Sequence, residues 1–362
     1  MVHGHNPKAR LGVSLRDANA SAFTPGIAKG PPLPIVNYGL VGKQAPSLLP
    51  APKGGLPKAS AVVMTWADAE WAALHHVFCT GSSTMPCSQR SRGVWPGWEK
   101  YSSNLPSGAP SGWSFWGEYR LVRVGRRPVL LFKSNTHLDW PGAKYLEALI
   151  KLLAADVEPT LILSVGAAGG TKTGDHIGTV RAVSAGTLFE AGQPPANWPE
   201  HRNGWTATGA TLQDPEFQHL LFPVPTKTAD LQALCSQFNY QYDANYTLAQ
   251  LDPNGLSLGD PAPQIYDQTG GGASLLTTST FVVGTTAGNY QAYTSIEMDD
   301  AIIGEACASS GVAFGFVRNV SDPVQNAALP AKVQGNWGSA VYDCYGFYTS
   351  YNGALAAWAM LA

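Results

Sequence analysis

The sequence predicts an α/β protein: one large domain whose sheet is flanked by helices, with an N-terminal arm and decorations. Three observations lead there. Val312 to Val317 and Thr160 to Val165 are short, unbroken apolar runs, the pattern of strands buried on both faces. Helical spacing recurs near such runs, in Ala143 to Ala155 and in the set Ala301, Ile302, Ile303, Ala306, Cys307. A chain of 362 residues can bury a large core as one domain with decorations.

Composition narrows the function. Charged residues make up only 13%, the formal charge is −2, and 39 Gly and 27 Pro mark a loop-rich globular chain. Without a basic field, nucleic acid is excluded as a partner. No apolar run approaches the ~18 residues a membrane span needs. The start, Met1 to Arg10, lacks the apolar core of a signal peptide, so a cytoplasmic protein is expected. A secreted one is the alternative if a leader has been removed. Cys79, Cys87, Cys235, Cys307 and Cys344 are scattered and without metal spacing. No metal or other cofactor is called for. Cys79 and Cys87 flank a loop and could be joined, whereas Cys307 reads as a small core residue.

Residues 1–59 hold nine prolines and eight glycines. Gly30-Pro31-Pro32-Leu33-Pro34 favours extended backbone. Ile35, Val36, Tyr38, Leu40 and Val41 are too apolar for a free tail, so this segment reads as an arm over the body or a partner subunit. The domain proper is expected over 60–362. Its first strand is Ala61 to Thr65, and a helix opens near Asp68 and Glu70, where acids favour the helix dipole. Residues 80–116, with Trp95, Trp98, Trp113 and Trp116, look like an inserted loop or edge hairpin whose aromatics cover either a planar ligand or the core. Tyr119 to Val124 and Pro128 to Lys133 are strands. After Val165 the run Gly166-Ala167-Ala168-Gly169-Gly170 reads as a turn that cradles an anion or lets two backbones approach. Residues 190–275 carry Pro-rich loops and a helix from Thr228 to Phe238, with Tyr266 and Asp267 as possible contacts. A strand is expected over Leu276 to Val283, a Gly-rich loop over Gly284 to Tyr290, and a final helix over Tyr348 to Ala362.

The stretch Glu297 to Pro323 concentrates the chemistry. Glu297, Asp299 and Asp300 open a helix, Gly311 stops it, and the following strand runs out to Arg318, Ser321 and Asp322. Ligands of α/β sheets bind at such strand ends. Taken alone, Asp322 in Ser-Asp-Pro is as easily a turn or cap residue.

Glu297-Met298-Asp299, a helix, an apolar strand and a terminal Ser321-Asp322 together resemble the signature of the nucleoside phosphorylase and nucleosidase superfamily. The resemblance extends over four blocks, 61–78, 128–190, 276–300 and 301–323. It implies a central mixed, partly barrel-like sheet, makes residues 190–275 an insertion longer than the family needs, and implies hydrolysis of purine ribonucleosides to free base and ribose. A phosphate-dependent phosphorylase and a non-catalytic nucleoside-binding or storage protein are the alternatives. The implied partner is a small-molecule nucleoside, and the implied assembly a homo-oligomer (dimer, trimer or larger). By the resemblance Asp322, oriented by Ser321, protonates the leaving base. Glu70 activates water, with Asp68 as fallback. Glu297, Met298 and Asp299 hold the ribose, with His137 near it, while Ala168 and Gly169, in the family's small-residue segment, contact the substrate. Asn289 and Tyr290 fall where relatives stack and hydrogen-bond the base.

Two departures matter. Relatives commonly carry a phosphate-holding hydroxyl at the position of Ala167, so its absence favours water as nucleophile. The sugar-binding acid is usually Glu, and Asp299 is one methylene shorter. Either the backbone comes closer, or Asp300 or Glu297 takes over, or the sugar differs.

Overall fold

The computed structural model describes residues 30–52, 55–172, 174–207, 211–224, 228–253, 255, 263–278 and 289–362. In chain order its elements are β1 (Ser47–Leu48), β2 (Ala61–Thr65), α1 (Asp68–His75), β3 (Glu99–Tyr101), β4 (Gly117–Val124), β5 (Arg127–Ser134), α2 (Ala143–Val157), β6 (Leu161–Gly169), β7 (Val180–Val183), β8 (Ala185–Leu188), β9 (Glu200–Arg202), α3 (Thr228–Tyr242), α4 (Leu248–Leu251), β10 (Ile265–Asp267), β11 (Leu275–Thr277), β12 (Ile296–Glu297), α5 (Asp300–Ser310), β13 (Ala313–Asp322) and α6 (Ala331–Leu361).

Among the described residues the strands join in one mixed sheet, ordered β1-β4-β5-β2-β6-β12-β11-β8-β9. It branches at β6, which also pairs with β13, and it does not close into a barrel. β2 runs parallel to β5 and β6, and β13 runs parallel to β6, so the carboxyl ends of these four strands lie along one edge.

The apolar runs within these strands reflect cover on both faces. In β2, Ala61 and Val63 face one core, with Trp71 and Leu74 of α1 and Leu355 and Trp358 of α6. Val62 and Met64 face the other, with Leu146, Leu149 and Leu153 of α2 and Ile303 and Cys307 of α5. That period-2 division is what a doubly covered strand requires. Gly311, at φ 69, ends α5 in the left-handed conformation, as a glycine there predicts.

Several expectations are corrected. Gly166 to Gly169 do not form a turn: they are the last residues of β6. Small side chains are needed because a Cβ at Gly166 would lie 2.3 Å from Arg318 Nη1 and 3.1 Å from Glu70 Oε1. β13 continues through Asp322, so this acid ends the strand instead of following it. The final helix begins at Ala331, not near Tyr348. Trp95, Trp98, Trp113 and Trp116 are buried, so they cover the core. Cys79 and Cys87 are not joined. Tyr266 packs on Arg181 and Asp267 caps the turn at Thr269, and neither reaches the cavity described below.

In the arm, Leu33, Val36, Tyr38 and Val41 enter the core, and Lys43 Nζ donates to the Ala362 carbonyl at 2.9 Å. The expected strand and loop residues 279–288, and residues 1–29 of the arm, lie outside the described residues. No helix among the described residues is long and apolar enough to cross a membrane.

Candidate active site

A cavity of about 110 Å3 opens at the carboxyl ends of β2, β6 and β13. It is lined by Trp66, Ala67 and Glu70 after β2, by Ala167, Ala168 and Gly169 of β6, and by Arg318, Ser321 and Asp322 of β13. His137, Thr278 and Ile296 to Asp299 form another side, and Gly338, Ser339 and Tyr342 of α6 close it. Glu70 and Asp322, far apart in sequence, therefore share one space.

Glu70 sits in the first turn of α1 and folds back over it. Its Oε2 accepts the Thr65 hydroxyl at 3.0 Å and the N–H groups of Trp66 and Ala67 at 3.0 and 2.9 Å. Oε1 accepts the N–H of Ala167 at 2.8 Å. This satisfies helix-start donors, the structural reason for an acid at that position. It also fixes the carboxyl against β6, with Oε1 as the less engaged oxygen. Asp68 is not among the lining residues.

Asp322 is buried, and its Oδ1 accepts the Ser321 hydroxyl at 2.9 Å. Burial raises its carboxyl from the usual 3.8 to about 6, and the Ser321 hydrogen bond opposes the rise. Gly338 packs directly on it: a Cβ there would lie 3.3 Å from Oδ2.

The acids that open α5 divide their tasks. Asp300 forms a buried ion pair with Arg318, whose Nε donates to Oδ2 at 2.7 Å, and it also accepts from Ser164 at 2.5 Å. Glu297 accepts the N–H of Asp299 at 2.6 Å, accepts the Thr277 hydroxyl, and lies 3.3 Å from Arg318 Nη2. Burial pushes Glu297 up to about 8, Asp300 adds to the push, and Arg318 opposes it. Burial works against the charge of Arg318, yet Asp300 and Glu297 outweigh that and raise it. Asp300 is thus consumed by Arg318. Asp299 Oδ1 instead accepts the N–H of Leu138 at 2.8 Å and lies 2.9 Å from His137 Nδ1. Trp66 is held by its indole N–H, which donates to the Thr136 carbonyl at 2.9 Å, and Arg318 lies 5.4 Å above its ring.

Of the residues singled out in the sequence, Glu70, His137, Ala168, Gly169, Glu297, Met298, Asp299, Ser321 and Asp322 meet at this cavity. Asn289 and Tyr290 do not: they lie in a short 3-10 turn away from its lining. Sequence reasoning missed Trp66, Thr278, Gly338, Ser339 and Tyr342. For Trp66 a signal existed, an aromatic directly after a core strand. For α6 none did, since its cavity-facing residues lie before the recognised helix. Among the described residues no group of three or more His, Cys, Asp or Glu could hold a metal.

No family model matches the chain, and no curated protein matches it. Among solved structures, the chain is similar to the 5′-methylthioadenosine/S-adenosylhomocysteine nucleosidase of Neisseria meningitidis in complex with methylthio-immucillin-A. The identity is 12%, 83% of this chain and 98% of that chain are covered, and the TM-score is 0.45. It is similar to the futalosine hydrolase of Helicobacter pylori at 9% identity, over 83% of this chain and 96% of that one, with a TM-score of 0.43. It is also similar to the methylthioadenosine/S-adenosylhomocysteine nucleosidase of Colwellia psychrerythraea in complex with adenine, at 13% identity, over 84% and 95%, with a TM-score of 0.42. A likeness this distant identifies neither a substrate nor a catalytic residue in this chain.

Proposed function

We propose that this protein hydrolyses the N-glycosidic bond of purine ribonucleosides, releasing free base and ribose. One observation carries the reading. Two carboxyls in different surroundings border a single cavity: Asp322, raised to about 6 by burial, and Glu70, fixed as an acceptor by four donors. Such a pair suits acid and base work at one bond.

In the proposed reaction the C1′–N9 bond breaks and its electron pair moves into the purine. Asp322 gives its proton to N7, which makes the base a neutral leaving group. Positive charge spreads over C1′ and the ring oxygen. Water then bonds to C1′ and passes a proton to Glu70. Asp299 and His137 face the sugar hydroxyls, and Glu297 stays tied to the start of α5 and to Arg318. The carboxylates of Glu70 and Asp299 at the cavity's border favour a cationic transition state over the neutral substrate.

The same charges weigh against phosphate as nucleophile. Arg318 is the one arginine or lysine in the described lining, and Asp300 and Glu297 already pair with it. A phosphate dianion would enter among carboxylates without a free cation.

Inosine, guanosine and adenosine, each incubated with and without phosphate, test the reading. It predicts free base and ribose at equal rates in both conditions. Strict dependence on phosphate, with ribose 1-phosphate as product, would defeat it.

A further inference from the structure

Helix α6 supplies a wall of the cavity that the proposed chemistry has not yet used. Gly338 packs on Asp322, and Tyr342, one helical turn later, lies on the same face of the helix. The wall thus borders the same cavity as the acid that would protonate the base and Glu70. The Tyr342 hydroxyl is buried and has no hydrogen-bond partner among the described residues. It is also electrostatically coupled to Glu70. Its phenol is raised well above the usual 10, first by burial and then by the charge of Glu70. It therefore remains an O–H across the working pH range.

Glu70 has room for one more partner on one side only. Oε2 takes three donors, whereas Oε1 takes the Ala167 N–H alone. Ala167 offers no hydroxyl that could hold a water beside Oε1. An unpaired buried hydroxyl is destabilising unless something in the cavity satisfies it.

We propose that Tyr342 is the second holder of the attacking water, acting with Glu70; this rests on the nucleosidase reading. The water gives one hydrogen bond to Glu70 Oε1 and the other to the Tyr342 oxygen, which leaves its lone pairs free for C1′. As the C1′–O bond forms, Glu70 takes the proton, C1′–N9 breaks, and the proton on Asp322 goes to the base. Tyr342 is unchanged through the cycle. Its part is to fix the water in line with the breaking bond, the kind of positioning that lowers a barrier without tightening substrate binding.

The test is Tyr342→Phe assayed on inosine, with added methanol as a competing nucleophile. The expected result is a kcat about 10- to 100-fold lower, with KM changed by less than about 3-fold. The ratio of methyl riboside to ribose should rise several-fold, because water has lost its fixed place. A merely structural role would not move that ratio. A kcat within about 2-fold of wild type, a rise in KM alone, or a lower kcat with an unchanged product ratio would each overturn the assignment. If the Phe variant does not fold, 3-fluorotyrosine at position 342 keeps the shape and weakens the phenolic acceptor. Its kcat should fall several-fold, and an unchanged kcat overturns the proposal. Absence of base release by the wild type overturns the nucleosidase reading and this assignment with it; the outcomes above overturn this assignment alone.

Discussion

Asp322→Asn should make the protein more stable and much less active, and the stability gain should depend on pH. The carboxyl lies 7% exposed beneath Gly338, and burial raises it from 3.8 to about 6. At ~1.36 kcal/mol per tenfold change in acidity, ionising it in the folded state costs about 3 kcal/mol relative to the unfolded chain. The sign follows from the raised value. Below about 3.8 the group is protonated in both states and costs nothing. As pH rises from there to about 6, the unfolded chain releases the proton that the folded state still holds and stability is lost; above about 6 the folded state bears the buried charge and the loss is complete. Asn is neutral throughout and can still accept from Ser321. The variant's advantage should therefore grow from about 1 kcal/mol at pH 4.5 to about 3 kcal/mol at pH 8. Denaturant unfolding at the two pH values measures this, and base release from inosine measures the activity, which should drop by about 10²- to 10⁴-fold. A stability difference that is the same at both pH values would refute the buried-charge argument. Turnover near that of wild type would remove Asp322 from the mechanism.

Other outcomes follow from the same geometry. In the wild type kcat/KM should decline about tenfold per pH unit above 6, as Asp322 loses the proton it donates, and in Asp322→Asn the remaining activity should lack this decline. Glu70→Gln should lower kcat by about 10²- to 10⁴-fold. Its amide N–H2 would also face a backbone donor at the start of α1, so a loss of about 1–3 kcal/mol is expected in denaturant unfolding. Arg318→Met should leave Asp300 buried without its counter-charge and destabilise the fold by about 3–5 kcal/mol, read in the same unfolding assay. His137→Ala, which removes the partner of Asp299, should reduce the preference for inosine over 2′-deoxyinosine by about tenfold in kcat/KM.

How far the site could be read from the sequence depended on which force chose each residue. Glu70 and Asp322 stood out only through the family resemblance, because an acid at a helix start or strand end is as easily a cap or turn residue; the strands that carry them, β2 and β13, are marked by unbroken apolar runs. Asp299 and Asp300 were adjacent and chemically alike, so only geometry could separate them. One reaches Arg318 and Ser164, the other His137 and Leu138. The small residues of β6 imitated a turn because what excludes side chains there comes from elsewhere in the chain, the guanidinium of Arg318 and the carboxyl of Glu70. Helix α6 was hidden for a similar reason. It is buried over most of its length, so it has no polar face to give a period, and it contains glycines that a helix normally disfavours. At Gly353 a Cβ would lie 2.7 Å from Asn319 Oδ1, so close packing on β13 overrides propensity. With the start of that helix went Gly338, Ser339 and Tyr342, the part of the site that local pattern could not reveal.

A crystal soaked with a free purine base tests most directly whether a glycosidic bond can be broken in this cavity. The base should lie with N7 within hydrogen-bonding distance of the Asp322 carboxyl and with N9 pointing towards the side lined by Glu70 and His137. A base seated elsewhere, or with N7 turned away from Asp322, would contradict the account.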